Sequence, residues 1–145
     1  MNPTTSRGRI LVIEADLNMR IFLCNLLRAD GFDPIDAPDR MGGLQKARKK
    51  RPDLIVLDGM LPDEESIEIY YRLKSDPDLQ RIPVIVLASI DQRTFCYYRK
   101  CQSLQRPIKV PDPEAFITKP AEADEFLGAV HRLTKSPPQS QRKTP

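Results

Sequence analysis

The hydrophobic pattern of the chain switches repeatedly between two periods. Ile10 to Ile13 is a short continuous apolar run, followed by NMRIFLCNLLRADG, where Met19, Phe22, Leu23, Leu26 and Leu27 share one helical face and Gly31 stops it. FDPIDA reads as a weak second strand suited to a sheet edge, because Pro34 has no amide hydrogen to give a neighbour. RMGGLQKARKKR follows as a second helix. The apolar run that starts at Leu54 is closed by Asp58, and a similar run spans Ile82 to Ala88; both predict strands buried on both faces. EESIEIYYRLKS, between them, spaces Ile67, Tyr70, Tyr71 and Lys74 for an amphipathic helix. AFITK predicts a last short strand, and Phe126, Leu127, Val130 and Leu133 mark the closing helix.

Strand and helix therefore alternate through five βα units. Such a series predicts a parallel, doubly wound α/β sheet with helices on both faces and right-handed crossovers. Ligands of such sheets bind at the carboxyl ends of the strands, beside the topological switch point. Glu14 and Asp16 stand just past the end of the first strand, Asp58 at the end of the third, and Lys119 after the last. Surface acids near strand ends are common singly. Three strand ends that each carry a charged residue at the binding edge point to a site.

The length of 145 residues suits one domain. The expected division is a flexible leading segment 1–9, a folded domain 10–135 and a disordered tail 136–145 rich in Pro, Ser and Gln. Lys and Arg number 23 against 20 Asp and Glu. With Arg7, Arg9, Arg142 and Lys143 assigned to the end segments, 19 cations face 20 acids, and the near-neutral body argues against direct DNA binding. No apolar run approaches the roughly 20 residues of a membrane span and MNPTTSRGR lacks a signal-peptide core, so a cytoplasmic protein without membrane contact is expected. Cys24, Cys96 and Cys101 show no zinc or disulfide spacing.

In order along the chain, ILVIEAD, RPDLIVLDGMLP, IPVIVLAS and FITKP resemble the receiver domains of two-component response regulators, the CheY-like family. The resemblance covers nearly all of Ile10 to Lys135. It implies a flavodoxin-like sheet of strand order 2-1-3-4-5 and a signalling protein rather than an enzyme. It makes Asp58 the phosphoacceptor and Lys119 the ammonium that contacts the phosphoryl group. A Mg2+ ion would be held by Glu14, Asp58 and the backbone carbonyl of Met60, with Asp16 as a further candidate, and Gly59 and Leu61 would be ordinary loop residues. The implied phosphoryl donor is a histidine kinase or phosphotransfer protein.

Three departures from the family pattern stand out. Ala15 occupies the position of a second metal-binding acid, and Ala88 that of a switch hydroxyl, which Ser89 replaces only if the strand has already ended. Phe116 stands at the family's aromatic switch position. The stretch from Ser89 to Phe116 is long, and Gln92 to Val110 holds Arg93, Arg99, Lys100, Arg106 and Lys109 without an acid, interleaved with Phe95, Tyr97 and Tyr98. A solvated face is one account of that run; a partner surface over residues 92–118 is the other. His131 reads as a helix-surface residue, and Tyr70 and Tyr71 as packing residues.

Two further readings stay open. Ala15 and Ala88 together fit a receiver-like module that binds partners without phosphoryl transfer. A flavin- or nucleotide-binding protein of the same architecture is disfavoured, because no glycine-rich loop follows the first strand.

Overall fold

A computed structural model of the chain describes residues 6–60, 64–104, 106 and 109–134. Strands and helices alternate as β1 (Arg9–Ile13), α1 (Leu17–Ala29), β2 (Asp33–Ala37), α2 (Arg40–Lys50), β3 (Leu54–Met60), α3 (Glu64–Ser75), β4 (Val84–Ala88), α4 (Gln92–Ser103), β5 (Ala115–Thr118) and α5 (Ala123–Thr134). All strand pairs are parallel, in the order β2-β1-β3-β4-β5, as expected. The Pro34-bearing strand takes an edge.

Period-two alternation divides the core into two layers. Leu11, Ile13, Ile55, Leu57, Val84 and Val86 pack with Leu44 of α2, Ile67, Tyr70 and Leu73 of α3, and Phe95 of α4. On the other face Ile10, Val12, Leu54, Val56, Ile85 and Leu87 meet Leu23 and Leu27 of α1 and Phe126, Ala129 and Val130 of α5. Gly43 lets α2 approach the sheet: a Cβ there would lie 2.5 Å from Ile13 Cδ1 and 2.7 Å from its Cγ1.

Several sequence expectations need correction. Phe22 is 45% exposed, and the buried face of α1 is instead Leu23, Cys24 and Leu27. Burial raises the Cys24 thiol pKa, which suits a packing role. Arg7 and Arg9 are tied into the fold rather than loose: Arg9 opens β1, and the Arg7 amide donates to the Gly31 carbonyl at 2.9 Å. The expected tail 136–145 lies outside the described residues.

His131, expected on the helix surface, is buried at the end of α5. Its Nε2 lies 2.5 Å from Asp30 Oδ2, while Arg7 Nη1 lies 3.1 Å from its Nδ1. The imidazole thereby fastens the segment before β1 to the last turn of α5.

The cation-rich stretch begins as a regular helix, α4, capped by Asp91, whose Oδ1 accepts from the Thr94 amide at 2.7 Å. That bond holds the Asp91 carboxyl below its ordinary pKa. Phe95, expected among exposed aromatics, is fully buried, with its ring 5.7 Å from that of Tyr70. Arg99 is buried too; it donates to the Val110 carbonyl at 2.8 Å and pairs with Asp112. Arg106 lies 4.2 Å over the Tyr71 ring and pairs with Glu68, whose hydrogen bond from Arg106 keeps its carboxyl pKa low. Two of the five cations therefore hold the long connection against α3 and α4.

Candidate functional site

The site lies at the carboxyl ends of β1, β3, β4 and β5. β1 pairs with β2 as far as Ile13, and the next amide, that of Glu14, donates to the Ala37 carbonyl at 3.0 Å. Glu14 is therefore the first residue whose side chain rises over the strand end, and it is 6% exposed. Its Oε2 accepts the Asp16 amide at 2.7 Å, and its Oε1 lies 3.8 Å from Lys119 Nζ. Lys119 follows β5, and its amide donates to the Ala88 carbonyl at 2.8 Å, which fixes where the lysine stem starts. Because β3 and β4 separate β1 from β5, the Glu14–Lys119 contact crosses above the end of the strand that carries Asp58.

Asp58 lies within β3 rather than closing it, which corrects the expected end of the strand. The strand runs on to Met60, with Asp58 opposite Leu87 and Met60 opposite Ala88. Gly59 is thus the extra residue of a bulge, not an ordinary loop residue, and bulges beside sites commonly re-aim a neighbouring side chain. Leu61 lies outside the described residues.

The neighbouring candidates divide sharply. Asp16 caps α1: its Oδ2 accepts the Met19 amide at 2.9 Å, and to swing toward a cation it would give up a bond usually worth about 1 kcal/mol. Ala88 is fully buried as the last residue of β4, between Met60 and Thr118. Ser89 lies beyond the strand and is exposed, so the condition for its hydroxyl to stand in for the missing one, a strand already ended, is met. Phe116 lies in β5, half-buried, with its ring 5.3 Å from that of Phe95.

Sequence reasoning missed Arg20 and Asp36. Arg20 Nη1 donates to the Glu14 carbonyl at 2.8 Å and to the Ala15 carbonyl at 3.4 Å, while its Nε lies 3.3 Å from Asp36 Oδ2. The only sequence signal was a cation one turn after the cap residue Asp16.

The family model of the response regulator receiver domain matches residues 10–131. The chain belongs to the response regulator receiver family. The receiver is similar to the polar-differentiation response regulator DivK of Brucella anthropi, with 30% identity over 121 residues, 83% of this chain and 90% of that protein. It is also 29% identical to DivK of Brucella ovis over 125 residues, 86% of this chain and 94% of the other. Among solved structures, chemotaxis protein CheY4 of Vibrio cholerae superposes with a TM-score of 0.71 at 18% identity, covering 87% of this chain and 98% of that one. That likeness concerns the fold alone. The signal receiver domain of a signal transduction histidine kinase from Syntrophus aciditrophicus gives 0.70 at 27% identity, with 95% and 98% covered.

Membership places the receiver in two-component signalling, among signalling proteins that interact with histidine kinases and downstream proteins. Receiver domains typically bind Mg2+. No helix among the described residues is long and apolar enough to cross a membrane.

Proposed function

We propose that this receiver accepts a phosphoryl group on Asp58 from a histidine kinase or phosphotransfer protein and signals by binding a downstream protein in the cytoplasm. The observation that carries the reading is the 3.8 Å approach of Lys119 Nζ to Glu14 Oε1 above the end of β3. The Lys119 ammonium supplies positive charge for the transferring oxygens, and the Glu14 carboxylate beside it would hold a cation that adds to it.

In the step itself a carboxylate oxygen of Asp58 forms a bond to phosphorus, the bond from phosphorus to the donor's nitrogen or oxygen breaks, and an acyl phosphate results. Lys119 stabilises the charge on the transferring oxygens. The donor set fits a hard cation: Glu14, Asp58 and the Met60 carbonyl are all oxygen ligands, and the remaining positions suit water. When bound, Mg2+ would supply further neutralisation of those oxygens. Asp16 is the poorer ligand, since its carboxylate caps α1. Ser89, exposed past the strand end, is the candidate donor of the hydroxyl that Ala88 lacks.

The face that signals is proposed to be that of residues 92–118. Tyr97 at 65% and Leu104 at 78% exposure, with Arg93, Lys100 and Lys109 exposed, leave an apolar and basic surface. A second reading, a binding module independent of phosphorylation, is favoured by Ala15 and by the buried Ala88.

Intact mass after incubation with acetyl phosphate, with and without Mg2+, separates the two. One phosphoryl mass that requires both Mg2+ and Asp58, and is lost in Asp58→Asn, is expected. No added mass would leave the binding module standing.

A further inference from the structure

The β1–α1 loop is short, and each of its polar groups has a defined job. Asp16 caps α1, its amide is held by Glu14 Oε2, and the carbonyls of Glu14 and Ala15 both receive Arg20 Nη1. We propose that Arg20 is a positioning residue that closes this loop from behind, so that Glu14 rather than Asp16 presents the loop's carboxylate toward Lys119 above the end of β3. The inference rests on the phosphoacceptor reading for its use, though not for its geometry.

Three observations support it. First, Arg20 is placed against its helix's own interest: it sits one turn into α1, whose first turn has no acid, so its charge meets the positive end of the helix dipole. That repulsion is modest and is lessened by the Asp16 carboxylate at the same helix end, and contacts outside the helix offset it. Second, those contacts exist, because Nε reaches Asp36 on the edge strand at 3.3 Å and the side chain is only 14% exposed. A guanidinium offers several donors in a rigid fork, so one residue can bind two loop carbonyls and an acid together.

Third, the direction of the two carbonyls matters. With both turned toward Arg20, the amide of Asp16 is left to the Glu14 carboxylate, which fixes Oε2 and leaves Oε1 on the side of Lys119. The loop thus has its binding shape from protein contacts alone, and a cation entering it would meet an already oriented Glu14.

The test uses the full-length chain, first without divalent metal. Hydrogen exchange of the Asp16 amide and the carbon-13 shift of the Glu14 side-chain carboxyl are read in wild type, Arg20→Ala, Arg20→Gln and Arg20→Lys. Losing a charge-assisted bond of this kind predicts exchange at Asp16 faster by on the order of tenfold in Arg20→Ala. A shifted Glu14 carboxyl signal is expected with it, while Leu11 and Val12 amides in β1 stay unchanged. Arg20→Lys, which keeps the charge and a donor but not the fork, should recover part of the wild-type signature and fall between wild type and Arg20→Ala, as a merely structural loss would not. If Arg20→Ala fails to fold, Arg20→Gln is read in the same way. Asp16 exchange within twofold of wild type in the folded variant would overturn the proposal.

Phosphorylation of the wild-type chain, measured separately by mass, judges the phosphoacceptor reading. A failure there leaves the metal-free result on Arg20 intact, so the two outcomes are distinguishable.

Discussion

Lys119 Nζ stands 3.8 Å from Glu14 Oε1, although their strands lie three places apart in the sheet. At the usual spacing of parallel strands that is about 14 Å of backbone separation, bridged by two side chains leaning inward over β3. Each partner is therefore held by its own strand end, not by a shared local segment. The pair is a property of the assembled sheet.

Under the proposed function, Glu14 is the carboxylate that the β1–α1 loop would offer to Mg2+. Glu14→Gln should weaken Mg2+ binding at least tenfold, on the order of the loss seen when groups supporting a metal are removed, measured by Mg2+ titration of the Ala15 and Asp16 amide signals. Ala15→Asp adds an acid beside it and should shift the titration the other way. Equal midpoints in wild type and Glu14→Gln would remove Glu14 from the ligand set.

The long connection before β5 has an internal anchor in Lys74. Its buried ammonium donates to the Ile82 carbonyl at 3.1 Å and to both carboxylate oxygens of Glu114 at 2.9 Å, and Glu114 Oε1 also receives the Val84 amide at 2.8 Å. Glu114→Ala strands that ammonium and should cost about 3 to 5 kcal/mol. Lys74→Met leaves a partly solvated carboxylate and should cost less. Urea denaturation of the two variants checks the order.

Tyr70 gives a prediction at high pH. Its buried hydroxyl donates to the Pro111 carbonyl at 2.5 Å, and burial, followed by the nearby Glu114, raises its pKa well above the ordinary 10.0. The unfolded chain loses that proton near pH 10 while the folded chain keeps it. Its stabilisation is therefore complete below pH 10 and falls as pH rises above it, by up to about 1.4 kcal/mol per pH unit. Stability of wild type and Tyr70→Phe measured from pH 9 to 11 should diverge, with the variant losing less.

What the sequence showed was whatever depends on local period. Continuous apolar runs marked the interior strands, Pro34 marked the edge, and the charged residues after the runs marked the candidate site. What stayed hidden depends on partners distant in the chain. Arg99 reads as a solvated cation until Asp112 and the Val110 carbonyl come round to meet it. His131 looked like a surface residue because Asp30 and Arg7 lie at the opposite end of the sequence. Arg20 had the same difficulty with Asp36. The bulge at Gly59 was more accessible, since a lone glycine inside a strand pattern is itself a bulge signal.

The clasp of Arg7 and Asp30 on His131 also fixes where the folded unit can be handled. Strands run toward the Glu14–Lys119 pole and helices run back, so β1 starts and α5 finishes at the far pole, within one side chain's reach of each other. A surface tether attached ahead of residue 6 or after residue 134 would hold the molecule by its base, leaving the Glu14–Lys119 pole facing outward to whatever flows past.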